Sequence, residues 1–191
     1  SANQKRAHQN PQESARTQAM TSPSVVRLAT PADSQEVWRL LLQAHNENSL
    51  FPLAAEKVQW MMNRALYPDI IPLGDTGPRG IIGVIGKEGS LEALVFLLIG
   101  QFWYSNDHHL EELLVFTDPE HRKSGHAQAI IQWMKDQVER TGLPLMTGIM
   151  STHRTEAKVR LYSRMLPKVG AFFFLTPKGA TLPPCLVAAS S

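Results

Sequence analysis

The sequence has only one cysteine, little excess charge and no long apolar run. The lone Cys185 excludes an internal disulfide, and nothing else in the chain requires an oxidising compartment. The formal net charge of +2 is too small to indicate a nucleic-acid groove or an anionic membrane surface. The most apolar stretch, residues 91–99, contains a glutamate and is about half as long as the roughly 20 residues of a membrane-spanning helix. We therefore expect a cytoplasmic protein without nucleic-acid or membrane partners.

Composition divides the chain into a middle part and two ends. Residues 1–23 are rich in Gln, Asn, Ser and Thr, so they cannot bury enough surface to offset the entropy cost of ordering. We predict a disordered segment over residues 1–23 and a Pro/Ala-rich tail over residues 177–191. The 191 residues are 43% hydrophobic, which is enough for one substantial core and short for two. Residues 24–176 are therefore predicted to form a single domain.

Apolar residues recur at helical spacing in four segments. In the first, they fall at i, i+3, i+4 and i+7 and form a stripe that packs on a sheet: Val37, Leu40, Leu41 and Ala44. Pro31 and Asp33, just before this stripe, suit the start of a helix. The same spacing predicts further helices over residues 54–66, 127–141 and 156–166.

Short apolar runs bounded by turn residues predict six strands. They cover residues 25–28, 81–85, 91–104, 110–117, 145–151 and 169–175. A turn containing Gly86 and Gly89 joins the second and third runs as a hairpin.

The fourth apolar run has apolar side chains on both faces. Leu113, Val115 and Thr117 alternate with Leu114 and Phe116, as in a strand that is buried on both sides. We therefore expect this strand to be central. The whole predicted order is strand, helix, helix, three strands, helix, strand, helix and strand. It describes an α+β fold with a single mixed, mostly antiparallel sheet and helices on both faces.

The segment from Arg122 to Ala127 lies where the fourth strand turns into the third helix. The first N–H groups of a helix lack intrahelical partners and carry the positive end of its dipole, so these amides can bind a pyrophosphate. Gly125 and the small Ala127 allow close approach of phosphates, and two neighbouring cations add positive charge. The alternative interpretation stays open: Gly125 only relieves a tight turn from strand to helix, and the two cations are solvated surface charges. Neither a P-loop nor a dinucleotide-binding glycine pattern occurs.

This segment resembles motif A of the GNAT superfamily of N-acetyltransferases, in which a strand and a Pro precede Arg/Gln-x-x-Gly-x-Gly/Ala. The order of elements from residue 25 to about residue 175 is also similar to that of the superfamily. The local sequences around Glu111 and over residues 156–166 resemble those of acetyltransferases of phages and prophages. The resemblance implies a GNAT-like acyl-CoA N-acyltransferase fold, acetyl-CoA as co-substrate and no metal. It implies direct attack on the thioester, in a ternary complex, by an amine of a small molecule or peptide. A non-catalytic acyl-CoA-binding or interaction module of the same fold is the alternative.

The resemblance also implies which residues hold acetyl-CoA. The pantetheine arm would pair with the backbone of Val115, Phe116 and Thr117, where the fourth strand splays from the next one. The backbone amides of the turn would hold the pyrophosphate. The residues of this turn are Arg122, Lys123, Ser124, Gly125, His126 and Ala127.

Tyr162 is the candidate general acid. The Leu161-Tyr162 pair is similar to a Leu-Tyr pair of the superfamily, whose phenol protonates the leaving CoA thiolate. A tyrosine hydroxyl with a pKa of about 10 stays protonated at neutral pH and can donate to a thiolate. Two positions depart from the superfamily pattern, because Thr155 and Lys158 stand where Asn and Ala are usual. A core aromatic with its hydroxyl at the edge is the alternative.

Glu111 and Glu112 are the candidate bases that deprotonate the amine. A strand alternates its faces, so only one of the two can point toward the thioester, and two exposed carboxylates at a strand end are the alternative. His108 and His109 stand next to them, but adjacent histidines on a strand face opposite sides, and we predict no metal site.

Specificity for the acceptor is expected to come from loops around the cofactor slot. The candidates are residues 46–53 and residues 67–80, since variable loops on a fixed scaffold commonly set specificity. The oligomeric state stays open, with a homodimer as one option.

Overall fold

The computed structural model of the chain describes residues 24–151, 154–173, 175 and 177. The predicted disordered segment, residues 1–23, and nearly all of the predicted tail, residues 177–191, lie outside the described residues. The predicted domain boundaries therefore stay predictions.

Five strands form one sheet whose spatial order equals the order in the chain. They are β1 (Arg27–Leu28), β2 (Arg79–Lys87), β3 (Ser90–Gln101), β4 (His108–Thr117) and β5 (Leu145–Met146). The first three pairings are antiparallel and the last, between β4 and β5, is parallel. The predicted hairpin and the mostly antiparallel sheet are confirmed.

Four helices cover the two faces of the sheet. They are α1 (Ser34–Asn48), α2 (Ala55–Leu66), α3 (His126–Thr141) and α4 (Thr155–Met165). The predicted stripe of α1 is buried as a whole, and α3 ends at Gly142, whose φ of 68° suits a helix C-terminus. All four predicted helices are confirmed to within about two residues. None of the helices in the described ranges is long and apolar enough to cross a membrane.

Each face of the sheet has its own hydrophobic cluster. On one face, α1 and α2 pack against β3 residues that include Leu94 and Phe96. On the other face, α3 packs against Val95 and Leu97, with Tyr162 of α4 at the margin of this cluster. Helices on both faces of one sheet give the α+β architecture that the sequence predicts.

A β-bulge in β4 corrects the predicted pattern of that strand. Phe96 of β3 pairs with Leu114, but the next residue of β3 pairs with Glu112, so Leu113 is an extra residue without a partner. Its side chain is 39% exposed, whereas the sequence placed it on a buried face. The expectation of a central strand is also wrong, because β3 is the middle strand and β4 is next to the edge.

Two predicted strands differ in the structure. The run 145–151 forms a strand only over Leu145–Met146, after which the chain leaves β4. In the run 169–175, none of the described residues belongs to a strand, and Val169 and Phe173 are both 96% exposed. A strand of two residues offers almost no edge for another strand to pair with. The predicted length of the third strand is wrong as well, because β3 ends at Gln101.

Candidate active site

A glycine in the left-handed conformation connects the end of β4 to the start of α3. After β4 the chain makes a short 3-10 turn, Pro119–His121, in which the Asp118 side chain accepts the N–H of Glu120 at 3.2 Å. Gly125 follows with a φ of 80°, a conformation that side chains with a Cβ disfavour. A Cβ at this position would have no atom within 4 Å, so the space above the turn is open.

The turn presents free backbone amides to this open space. The N–H groups of Gln128 and Ala129 donate to the carbonyl of Gly125, at 3.1 and 3.2 Å. The amides of Gly125, His126 and Ala127 have no hydrogen-bond partner within the described residues, as geometry requires for the first turn of a helix. Three donors at the positive end of α3 form a site for an anion such as a pyrophosphate.

The side chain of His126 points away from this anion site. It is 5% exposed, with Nε2 at 2.6 Å from Glu92 Oε2 and Nδ1 at 2.6 Å from Ser24 Oγ. The backbone N–H of His126 therefore stays free, while its ring hydrogen-bonds the turn to β3 and to the residues before β1. Sequence reasoning missed this role, although the lone carboxylate within the apolar run of β3 was a visible signal.

Arg122 places its guanidinium between the end of β4 and the end of α1. Its Nε donates to the carbonyl of Thr117 at 3.3 Å, and its guanidinium forms an ion pair with Glu47 at the end of α1. The guanidinium carbon also lies 5.7 Å from the centre of the Phe116 ring. Lys123 is exposed at the turn, so the two predicted cations take different positions.

β5 pairs with β4 only briefly, and we call the region beside β4 beyond this pairing the cleft. The two strands pair only through Leu110 with Leu145 and Glu111 with Met146. Val115, Phe116 and Thr117 lie beyond this pairing, on the part of β4 that leads directly to the turn. The early end of this pairing agrees with the splay that the resemblance implies, and Thr117 leads directly to the turn that begins α3.

Glu112 and Tyr162 meet at the inner end of the cleft. The Tyr162 hydroxyl donates to Glu112 Oε2 at 3.0 Å, and the Thr147 hydroxyl donates to the same oxygen. Burial raises the pKa of Glu112 to about 7, although both hydrogen bonds oppose the shift. Burial, and then the charge of Glu112, raise the pKa of Tyr162 well above its usual value. Glu112 therefore gains and loses a proton near neutral pH, while Tyr162 stays protonated there.

Comparisons with known proteins relate the fold of the chain to solved acetyltransferases. None of the protein-family models or curated proteins compared with the chain matches it. A solved ribosomal-protein-alanine N-acetyltransferase from Brucella melitensis biovar Abortus 2308 is similar at 15% identity and a TM-score of 0.53, over 82% of this chain and 99% of that chain. A predicted acetyltransferase with acetyl-CoA from Clostridium acetobutylicum is similar at 9% identity and a TM-score of 0.59, over 79% and 94%. AAC(6')-Iy in complex with the bisubstrate analog CoA-S-monomethyl-acetylneamine is similar at 11% identity and a TM-score of 0.57, over 82% and 99%.

The chain has the GNAT fold. At identities of 9% to 15%, these structural matches establish the architecture only, and the role of each residue has to be argued from its own geometry. Within this GNAT fold, Glu111 and Glu112 lie on opposite faces of β4, because they are adjacent in a regular part of the strand. Glu112 faces α4 and Tyr162, and Glu111 faces the side of α1 and α2.

Lys158 lies where the resemblance leads us to expect Ala, and it connects three segments of the chain. Its Nζ donates to Ser151 Oγ at 2.6 Å, and Ser151 Oγ donates to Asn48 Oδ1 at 2.8 Å. This chain of hydrogen bonds links α4, the segment after β5 and the end of α1 across the cleft. Partial burial lowers the pKa of Lys158, and the nearby charge of Glu47 opposes the shift. Sequence reasoning noted the unusual residue and missed its partners.

The histidines beside Glu111 do not form a metal site with it. His109 is 6% exposed, and neither of its ring nitrogens has a hydrogen-bond partner in the described part of the chain. Across the same residues, no group of three or more His, Cys, Asp or Glu side chains is arranged to hold a metal ion.

Proposed function

We propose that the protein is an acetyl-CoA-dependent N-acetyltransferase that transfers the acetyl group directly to an amine in a ternary complex. The observation that carries the proposal is the continuity of two features, the cleft beside β4 and the free amides that begin α3. A ligand with a thioester at one end and a pyrophosphate at the other suits this path, because the pyrophosphate can bind the free amides while the thioester end lies in the cleft. The structural similarity to an acetyltransferase with acetyl-CoA and to a complex with a CoA bisubstrate analog supports this reading.

The amides of the turn are proposed to bind the pyrophosphate of acetyl-CoA. Gly125 is central, because its left-handed conformation leaves open space where a side chain would otherwise stand. Val115, Phe116 and Thr117 offer their backbone to the pantetheine arm, as a further strand would. The bond from Arg122 Nε to the Thr117 carbonyl then has to break, which frees this N–H for a phosphate while the ion pair with Glu47 can persist.

Tyr162 is proposed to act as the general acid, with Glu112 as its proton store. The amine nitrogen attacks the thioester carbon, the carbon–sulfur bond breaks, and the Tyr162 hydroxyl gives its proton to the leaving sulfur. Glu112 lies 3.0 Å from that hydroxyl and has a pKa of about 7, so its protonated form can return a proton to the phenolate. The raised pKa of Tyr162 keeps the acid protonated until the thiolate develops.

Glu111 is proposed to be the base on the acceptor side. It occupies the face of β4 opposite Tyr162, so an amine that approaches over this face reaches the thioester from the other side. The proton that the amine loses goes to the Glu111 carboxylate. Acid and base then act from opposite faces of one strand, which removes the need for a covalent enzyme intermediate.

Two separate measurements test the proposal. Calorimetric titration with CoA measures binding at the turn, and thiol release from acetyl-CoA with a panel of primary amines measures transfer. We expect both CoA binding and amine-dependent thiol release. CoA binding without release by any amine would favour a non-catalytic acyl-CoA-binding module, and absence of CoA binding would contradict the cofactor assignment.

A further inference from the structure

Part of the sheet face on the side of α1 and α2 is not covered by these helices. Directly paired residues of antiparallel strands share a face, so Leu98 and Glu111 lie together, as do Gly100 and His109. The hydrophobic cluster beneath α1 and α2 extends along β3 only as far as Phe96. Leu98, Gly100 and Glu111 are all partly exposed. We call these four residues, Leu98, Gly100, His109 and Glu111, the open patch.

Three aromatic residues stand at the edge of the open patch. The Phe102 ring stacks on His109, with centroids 4.5 Å apart and planes at 20°, and on Tyr104 at 5.3 Å and 13°. Trp103 contacts Tyr104 edge to face at 5.4 Å. Trp103 is 94% exposed and Tyr104 is 67% exposed. We call Phe102, Trp103 and Tyr104 the aromatic wall; a continuous exposed aromatic surface of this kind commonly marks a binding site.

A carboxylate and an unpaired imidazole converge at the glycine of the patch. The position that a Cβ on Gly100 would occupy lies 3.5 Å from Glu111 Oε2 and 3.6 Å from His109 Nε2. Both ring nitrogens of His109 are buried and have no partner within the described residues. A buried polar group without a partner costs free energy, so the hydrogen-bonding capacity of this histidine is unused within the described residues.

The open patch adjoins the reaction cleft. Glu111 is the last residue of β4 that pairs with β5, and it precedes the bulge at Leu113 by two residues. At about 3.3 Å per residue, this separation is roughly 7 Å along the strand. The pantetheine arm is proposed to lie along residues 115–117, so an amine held at Glu111 lies near the end of this path where the thioester would stand.

We propose that the open patch and the aromatic wall bind the acceptor, and that the acceptor is an arylalkylamine, a primary amine joined by a short chain to a flat aromatic ring. The assignment of this ligand as the acceptor rests on the proposed acetyltransferase function. The ammonium group binds the Glu111 carboxylate, and Gly100 leaves the room for it. The ring stacks on Tyr104, which continues the stack that begins at His109, and it meets Trp103 edge to face, because the Trp103 plane is at 86° to that of Tyr104.

Calorimetric binding of 2-phenylethylamine and of 2-cyclohexylethylamine to the full chain tests the site directly. The two amines have the same charge and similar size, but only the first has a flat aromatic ring. We expect 2-phenylethylamine to bind about 3- to 10-fold more tightly, and Trp103→Ala to remove this preference. Trp103 is almost fully exposed, so its replacement leaves the core intact, and Leu73→Ala, at another fully exposed apolar residue, is the control. Equal binding of the two amines, or an unchanged preference in Trp103→Ala, would overturn the proposal.

Gly100→Val tests the floor of the site. A Cβ at Gly100 meets its neighbours at ordinary contact distances and valine suits a strand, so the fold should be kept while the γ carbons cover Glu111 and His109. We expect loss of at least tenfold in 2-phenylethylamine affinity with unchanged CoA affinity. Retained amine affinity in a folded variant, checked by circular dichroism, would contradict the assignment.

Kinetics separate this inference from the proposed function. Trp103→Ala should raise KM for 2-phenylethylamine about 3- to 10-fold with kcat and the KM for acetyl-CoA unchanged. Acetylation of 1,4-diaminobutane in preference to arylalkylamines would overturn the inference and leave the proposed function standing. Ring-dependent amine binding without acetylation of any amine would overturn the proposed function and leave the binding site standing.

Discussion

Glu112 accepts two hydroxyl donors on one carboxylate oxygen, and its environment makes that carboxylate costly to ionise. The folded protein keeps a proton on Glu112 up to a pH of about 7, whereas in the unfolded chain it is lost near the usual value of 4.5. Between these values the folded state binds more protons than the unfolded state. Stability therefore falls as pH rises through this window.

The first prediction concerns this pH dependence. Because of Glu112, the free energy of unfolding of the wild type should fall by at most about 3 kcal/mol between pH 4.5 and pH 7, and Glu112→Gln should abolish this fall. The reason is that glutamine has no proton to release when the protein unfolds. Urea unfolding at several pH values measures the effect, and an identical pH slope in the variant and the wild type would contradict the buried, protonated state of Glu112.

The second prediction concerns Tyr162. Tyr162→Phe should lower kcat by about 10²- to 10³-fold, because the variant keeps the ring but cannot protonate the leaving thiolate. The affinity for CoA should change less than twofold. Tyr67→Phe is the matched control, since Tyr67 packs on the cluster of α1 and α2 on the other face of the sheet. Unchanged kcat in Tyr162→Phe would remove Tyr162 from the chemistry.

At the scale of elements, the turn between β4 and α3 is held from three sides. Arg39 of α1 donates to Asp118 at 2.8 Å and to the carbonyl of Leu91 at 2.8 Å. His126 joins the same turn to Glu92 and to Ser24. These contacts fix the direction of the free amides without using them, so the anion site is rigid before a ligand arrives.

The third prediction uses the two ends of α3. Gly125 and Gly142 both have a positive φ, and neither has an atom within 4 Å of its Cβ position. Gly125→Val and Gly142→Val should therefore be destabilised to a similar extent, about 1–2 kcal/mol. Only Gly125→Val should lose CoA binding, by at least tenfold, because its side chain stands over the amides. Equal CoA affinity of the two variants in calorimetry would contradict the pyrophosphate assignment.

The fourth prediction concerns the packing of α1, which carries one side of the cleft. Leu40 is fully buried on the predicted stripe, so Leu40→Ala should lower the free energy of unfolding by about 2–5 kcal/mol. Trp38→Ala, at a residue that only partly packs on the same cluster, should cost less. Chemical denaturation measures both, and a larger loss at Trp38 would contradict the packing described for α1.

At the scale of the whole molecule, the proposed ligand path joins elements that are far apart in the chain. A ligand that contacts β4, the start of α3 and α4 together should stabilise the fold as a unit. The fifth prediction is that CoA at 100 times its Kd raises the free energy of unfolding by about 2.7 kcal/mol. Thermal unfolding measures the shift, and Gly125→Val should show little of it. An equal CoA-dependent shift in that variant would place CoA elsewhere.

Local patterns in the sequence predicted the four helices, the hairpin and the turn from Arg122 to Ala127, because apolar periodicity and left-handed glycines act within a few residues. They also indicated the buried stripe of α1 residue by residue. The bulge at Leu113 was not predictable in this way, since it depends on how β4 pairs with β3. The same holds for the two-residue length of β5, which depends on where two strands part.

The sequence by itself determined the four helices, the order of the five observed strands and the left-handed turn at Gly125, all of which follow from local conformation and periodicity. Only the tertiary structure decided that Glu112 faces Tyr162 and Thr147 while Glu111 faces the open patch. It also decided that Lys158 bridges to Ser151 and that the ring nitrogens of His109 are buried with no hydrogen-bond partner among the described residues. The physical reason is that hydrogen bonding and desolvation between distant segments depend on the packing of the whole chain, which no local pattern encodes.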